Sequence, residues 1–373
     1  MNKFGFIGHP IDAKTFRAYV NSLSLLERIL YRGISDRGLR ILPPKRFYNF
    51  KKVRSLSGEA TEGDMFIIPL MPTRIASLPE EAILKLIERY IKSSERNNAK
   101  LIGLGGFTSV VGNEGQVLSK RVGVPLTSGN TLTAALALQG IYKAAHIMDI
   151  SLSSATVAVI GATGDIGSIC TKILSWRVKK INIAARNEKK LQDFADSISR
   201  EGSAEAEVFK YSKDAVRQAD IILTATSAVT TVIDAANLKP GSIVCDVAIP
   251  SNIAKEVSQV RNDILVFEGG LAKIPYPDDL ESEKLSVAFP PNSIYGCLAE
   301  TMALTFERRF EPFSMGRGNI TESKITEIET IAKKHGITLA DFFCGYKFYT
   351  DEDIENIRKN AVKNKEGAYA TQR

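Results

Sequence analysis

The apolar positions switch between two periods along most of the chain. Short apolar runs of strand type recur at Lys3–Gly8, Asp64–Leu70, Ala99–Leu104, Thr156–Ile160, Ile181–Ala185, Asp220–Thr226, Ser242–Val247 and Asp263–Phe267. Between them the spacing is helical. Phe16, Tyr19, Val20, Leu23, Leu26, Ile29 and Leu30 share a face of a helix predicted over Asp12–Leu30. Ile83, Leu84, Ile87 and Ile91 do the same over Leu78–Ser94, with Pro79 marking the start. Further helices are predicted at Thr131–Met148, Asp165–Arg177, Glu188–Ser199, Ser293–Arg309 and Thr321–His335, the last stopped by Gly336. The charged tail from Asp351 reads as helical.

Strands alternating with helices predict an α/β protein. Three parts are expected: an N-terminal α/β domain over residues 1–150, a doubly wound Rossmann domain over 151–287, and a helical C-terminal region over 288–373. The break Phe289-Pro290-Pro291-Asn292 separates the last two.

Composition narrows the class. Of 373 residues, 44 % are hydrophobic and 24 % charged, which excludes a disordered chain. No run reaches the ~18 apolar residues of a membrane-spanning helix. The start MNKFGFIGHP lacks the layout of a secretory signal, so a cytoplasmic protein is expected. Cys170, Cys245, Cys297 and Cys344, like His9, His146 and His335, are scattered without metal-ligand spacing. Reduced thiols and no metal are expected. The charge is uneven: residues 1–57 carry twelve Lys/Arg against three acids. This is either a solvated face or a docking surface for an acidic partner such as a carrier protein, nucleic acid or an anionic membrane.

The candidate chemistry begins at Gly161-Ala162-Thr163-Gly164-Asp165-Ile166-Gly167, a G-x-x-G-x-x-G turn between a predicted strand and helix. Gly161 would make the tight turn, Gly164 would admit a pyrophosphate, and Gly167 would let the helix pack close. The helix N-terminus would offer N–H groups to phosphate. The next strand ends in Ala184-Ala185-Arg186-Asn187, with no acid for a ribose 2′-hydroxyl. Arg186 can pair with a 2′-phosphate, so NADPH is the expected cofactor. Thr226 and Ser227, ending a later strand, should pass near the nicotinamide half.

A dinucleotide domain does not name a substrate. Cys297 carries more information. A cap at Asn292 or Ser293 would put it just past the first turn, where the helix dipole favours thiolate. It also lies on the apolar stripe Ile294, Leu298, Thr301, Met302, Thr305, so from the pattern alone packing is the stronger reading. Cys170, Cys245 and Cys344 read as core.

With these residues in view, the chain resembles the long-chain fatty acyl-[acyl-carrier-protein] reductases of cyanobacteria. The motifs are FGFIGH at 4–9, LGGFTS at 104–109, TSGNTLTA at 127–134, TVAVIGATGDIGS at 156–168 and AARN at 184–187. FEGG at 267–270, GCLAETMALTFE at 296–307 and FSMGRGNIT at 313–321 complete them. The resemblance implies an acyl thioester on Cys297, NADPH as hydride donor and a fatty aldehyde as product. It implies acyl-carrier protein or acyl-CoA as the acyl source, an aldehyde-consuming enzyme downstream, and no nucleic acid. Peripheral contact with an anionic membrane is a further expectation. Thr108, Ser109 and Asn130 are the candidate oxyanion donors. His9 could supply a proton or be structural. After LGGFTS the chain reads Val110–Gly115 without the aromatic residue that the family tends to carry.

Two other readings stand beside this one. GNT at 129–131 resembles the substrate-side motif of shikimate dehydrogenases, though their lysine–aspartate pair is not evident. A reductase of the shikimate-dehydrogenase or glutamyl-tRNA-reductase kind would act on a small polar substrate. A non-catalytic NADP-binding regulator would bind cofactor without acylation of Cys297.

Overall fold

The computed structural model describes residues 1–21, 23–24, 43–228, 233–248, 254–280, 285, 289–345 and 347–370. It is an α/β protein with a Rossmann-type parallel sheet. The strands are β1 (Asn2–Gly8), β2 (Arg46–Arg54), β3 (Ala60–Ile67), β4 (Leu101–Leu104), β5 (Leu126–Thr127), β6 (Thr156–Ile160), β7 (Lys180–Ala184), β8 (Glu205–Phe209), β9 (Ile221–Thr224), β10 (Ile243–Asp246) and β11 (Leu265–Glu268). The main helices are α1 (Ala13–Asn21), α2 (Glu80–Arg96), α3 (Asn130–Ile147), α4 (Asp165–Ser175), α5 (Glu188–Glu201) and α6 (Gly296–Phe306).

The chain divides into two compact units, each built from more than one segment. The first comprises residues 1–132, 272–319 and 326–338, and the second 133–271, 320–325 and 339–373. This differs from the three consecutive parts read from the sequence. The segment 288–373 is not a separate helical region: α6 belongs to the first unit, and the Asp351–Ala370 helix to the second. The reason is burial. Ten of the eleven α6 residues are buried, so this helix has no polar face to leave in water and needs a sheet to cover it.

The first unit holds a five-stranded sheet in the order β2-β3-β1-β4-β5. β1 pairs in parallel with β3 and β4, and β4 with β5, while β2 runs antiparallel to β3. α6 lies against β1, β3, β4 and β5. Phe4, Phe50 and Phe66 are fully buried here. β2 shows no clean alternation, because its register shifts between Arg46 and Tyr48 and again between Phe50 and Val53. Several basic residues of this region are paired internally. Lys3 and Arg46 meet the buried Asp64 at 2.9 and 3.1 Å, and Arg54 meets Asp279 at 2.8 Å. Lys51 and Lys52 remain exposed. Arg28, Arg32, Arg37 and Arg40 lie outside the described residues.

The second unit holds a six-stranded parallel sheet in the order β11-β10-β9-β6-β7-β8. The strand order reverses between β6 and β9, the switch point of a doubly wound sheet. Ile160, Ile222, Val244 and Val266 are buried in its core. Among the described residues no helix is long and apolar enough to cross a membrane.

The helix expected over Asp12–Leu30 is seen over Ala13–Asn21, with Leu23 and Ser24 non-helical and residues 25–30 outside the described residues. A second expected helix starts late. The helix expected over Ser293–Arg309 starts only at Gly296, after a three-residue strand, Ser293–Tyr295. Asn292 turns in the left-handed region (φ 55°), and Tyr295 stays extended (φ −70°, ψ 146°). This puts Cys297 inside the first helical turn rather than past it.

Candidate functional site

Cys297 is the second residue of α6. It keeps some exposed surface, yet it sits deep enough that burial pushes its thiol up to about 12. The negative charge of Glu300 pushes the same way. The backbone N–H groups of Leu298, Cys297 and Gly106 are directed at the sulfur and pull against both. Burial thus works against the thiolate that the helix start would favour: the helix start does offer donors, but desolvation outweighs them.

The Gly106 N–H reaches the sulfur because of its turn. Gly106 has φ 59° and ψ −134°, a conformation that side-chain-bearing residues avoid. A Cβ there would lie 2.5 Å from His9 Nε2. His9 Nε2 accepts the Phe107 N–H at 2.8 Å, and Nδ1 donates to the Pro10 carbonyl at 2.9 Å. One neutral tautomer satisfies both bonds. Burial lowers the His9 pKa to about 4, so the ring is a neutral lock on this turn and has no nitrogen left for a reacting group.

Two of the expected oxyanion donors are spent. Thr108 Oγ1 lies 3.0 and 2.9 Å from the Ile7 and Gly105 carbonyls, and Ser109 Oγ donates to the Gly106 carbonyl at 2.7 Å. A hydroxyl has one proton, and here it shapes the loop. Asn130 stands differently. It is half-buried at the start of α3, and no side-chain hydrogen bond engages it among the described residues.

Gly129 brings that segment to the cysteine. Its φ is +72°, and a Cβ would lie 2.1 Å from Cys297 Cα. Just beyond, the fully buried Glu300 gathers several donors: Thr127 Oγ1 in a short contact, Ser314 Oγ at 2.8 Å, Leu132 N–H at 2.8 Å and the Gly129 N–H. Sequence reasoning missed Gly106, Gly129 and Glu300. The available signal was an acid three residues after Cys297 in an otherwise apolar helix.

In the second unit, β6 runs through Gly161–Gly167 into α4, with Gly164 as N-cap. A Cβ on Gly161 would lie 2.5 Å from the Ala225 carbonyl oxygen, and one on Gly167 2.2 Å from the Gly161 oxygen. The turn, the end of β9 and the helix thus close on each other only because side chains are missing. The first-turn N–H groups of α4 at Asp165, Ile166 and Gly167 have no partner within the helix. These features fit a dinucleotide phosphate. Ala162 and Asp165 are buried, while Thr163, Gly164 and Ile166 are half-exposed. The N–H groups of Gly161 and Ala162 donate to the Ala184 carbonyl at 2.8 and 3.3 Å, so the start of the turn is held to β7.

Ala185 and Arg186 follow β7. Arg186 is exposed, and no ion pair engages it among the described residues. Asn187 is the N-cap of α5, where its side chain accepts from the Lys190 N–H at 2.9 Å. Thr226 lies beside the Gly161 turn, and its Oγ1 accepts the Ala228 N–H at 3.2 Å. Ser227 is half-exposed next to it. Cys170, Cys245 and Cys344 are buried, and burial raises all three thiols.

Comparison with known proteins adds the following. The family model for shikimate / quinate 5-dehydrogenases matches residues 142–268. Aminotransferase PigE of Serratia sp. is 31 % identical over 341 residues, covering 90 % of this chain and 39 % of that protein. The chain thus spans about two-fifths of that relative's length. The long-chain acyl-[acyl-carrier-protein] reductase of Synechococcus elongatus is 28 % identical over 346 residues, covering 89 % of this chain and 97 % of that protein. Among solved structures, quinate dehydrogenase from Corynebacterium glutamicum in complex with NAD is 11 % identical with a TM-score of 0.34, covering 97 % of this chain and 99 % of that one.

Proposed function

We propose that the chain is an NADPH-dependent reductase that converts an acyl thioester to an aldehyde through an acyl-Cys297 intermediate. The observation that carries this reading is the convergence of the Cys297, Leu298 and Gly106 N–H groups on one sulfur at the start of a buried helix. The likeness to the Synechococcus acyl-[acyl-carrier-protein] reductase over nearly its whole length supports the same substrate class.

In this reading the Cys297 sulfur attacks the carbonyl carbon of acyl-carrier protein or acyl-CoA. The new carbon–sulfur bond replaces the old one, and the Cys297 proton leaves with the departing thiol. A thiol suits both attack and later departure. The backbone N–H groups are the oxyanion donors in place of the Thr108 and Ser109 hydroxyls, and the Asn130 carboxamide is the one side-chain donor retained. His9 keeps the Gly106 turn in place. The first turn of α4 would hold the NADPH phosphates and Arg186 the 2′-phosphate, and the cofactor would supply the hydride that converts a thioester to an aldehyde. The aldehyde then needs an enzyme that consumes it.

The test is intact-protein mass. The wild-type protein, incubated with acyl-carrier protein or acyl-CoA and no NADPH, should gain one acyl group. Cys297→Ser should gain none and still bind NADPH. A wild-type protein that never acylates, yet binds NADPH, would favour the non-catalytic regulator. Turnover of a small polar carbonyl without acylation would favour the shikimate-dehydrogenase-like reading.

A further inference from the structure

Glu300 lies outside the proposed chemistry, yet it is among the most heavily engaged side chains of the first unit. It is fully buried one helical turn after Cys297. Its Oε1 accepts from Thr127 Oγ1 and Ser314 Oγ, and its Oε2 from the Leu132 N–H. The Gly129 N–H donates to it as well. Ser314 Oγ in turn contacts Thr131 Oγ1. Three of the four donors come from the end of β5, the turn after it and the start of α3, and Ser314 comes from the segment after α6. One carboxylate therefore ties that whole stretch to α6, and Gly129, in the middle, packs on Cys297 Cα.

Two features suit an ionised carboxylate here. Four donors meet two oxygens, and two of them are main-chain N–H groups that cannot turn away. One of these belongs to the first turn of α3, where the helix end favours an anion. Burial opposes the charge and raises the Glu300 pKa above the ordinary carboxylate value.

We infer that Glu300 is a positioning residue that clamps the Gly129 turn and the start of α3 onto the Cys297 helix, so that a buried negative charge acts on the Cys297 sulfur from one helical turn away. The inference rests on the proposed reading only in taking Cys297 as the reactive sulfur. Other ionisable groups on the neighbouring elements are paired, neutral or absent; the buried Glu114, on the helix after Gly106, is matched by Arg317 of the Ser314 segment at 3.2 Å. His9, after β1, is neutral. Asp64 on β3 is matched by Lys3 and Arg46. β4 and β5 carry no ionisable side chain, and Ser293–Tyr295 carries only the Tyr295 phenol.

The experiment is alkylation of Cys297 with iodoacetamide across pH 6–11, read by intact mass, with Cys297→Ser as the background control. It needs no acyl substrate, so its outcome is separate from that of the acylation test. Glu300→Gln is close to isosteric. The Thr127 and Ser314 hydroxyls can reverse and accept from the new amide, and its oxygen can still take the Leu132 N–H. The alkylation profile of this variant should move down by about one pH unit, with roughly tenfold faster labelling at pH 8. An unchanged or upward-shifted profile overturns the electrostatic role. Glu300→Asp keeps the charge but shortens the reach. It should leave the profile in place and speed amide exchange at Gly129 and Leu132 by roughly tenfold or more, with β6 and β9 exchange unchanged as the folding control. Unaltered exchange at Gly129 and Leu132 overturns the clamp, and this second variant decides that point even if Glu300→Gln does not fold.

Discussion

At the scale of single residues, burial decides most of what charge and dipole would otherwise suggest. His9 shows this with a measurable consequence. An unfolded histidine titrates near 6.5. In the folded protein burial lowers the His9 pKa to about 4, against the opposing pull of the Pro10 carbonyl on Nδ1. The folded pKa is lowered, so the unfolded state takes up the proton first as pH falls. Stability is fully present above pH 6.5 and is lost as pH drops through the window down to about 4. The loss from this one residue should be about 2.5 kcal/mol at pH 4.5. His335 adds in the same direction, since burial lowers its pKa against the pull of Glu307. Urea unfolding of wild type and His9→Gln at pH 7.5, 5.5 and 4.5 checks this. The variant should lose less stability on acidification, and parallel curves would show that His9 titrates normally. Cys297 follows the same rule: a helix start and three donors do not make a thiolate when the sulfur is this deeply placed.

At the scale of elements, legibility follows how each strand is buried. β6, β7, β9, β10 and β11 are parallel strands covered on both faces, and they read as continuous apolar runs. β8, Glu205–Phe209, is an edge strand without a buried residue; its EAEVF sequence is too polar to announce itself. β2 is hidden by its lysines and arginines and by two register shifts. The start of α6 was misjudged because Ser293 and Ile294 are as apolar-facing in a strand as in a helix; both are buried. The oxyanion candidates failed for a related reason. Sequence shows that Thr108 and Ser109 carry hydroxyls, but not that nearby carbonyls claim them. The turn from β7 to α5 was readable, and it carries a prediction. Arg186 is exposed there with no ion pair among the described residues, while Asn187 is committed to capping α5. Arg186→Ala should weaken NADPH by roughly tenfold or more and NADH far less, because a charge-assisted bond to the 2′-phosphate is worth about 1.5–3 kcal/mol. Fluorescence titration with both cofactors measures this. Equal losses would mean that another group reads the ribose.

At the scale of the whole molecule, the basic excess of residues 1–57 includes, among the described residues, charges of two kinds. Lys3, Arg46 and Arg54 are held by Asp64 and Asp279, and so serve the packing of the first unit. Lys51 and Lys52 on β2 point to water. Only charge that no neighbouring acid offsets projects a field that an acidic carrier could follow, and that field is screened within about 8 Å at physiological salt. If acyl-carrier protein is the acyl donor, the double variant Lys51→Glu, Lys52→Glu should raise its KM severalfold at low salt and little at high salt. The kcat should hold, since neither lysine belongs to the site around Cys297. Acyl-CoA, which presents no such extended acidic face, should show a smaller change. Steady-state kinetics with both donors at two ionic strengths separates these outcomes. A KM for acyl-carrier protein that ignores both the substitutions and the salt would make Lys51 and Lys52 ordinary solvated surface and would move the search for a carrier-docking face elsewhere on the protein.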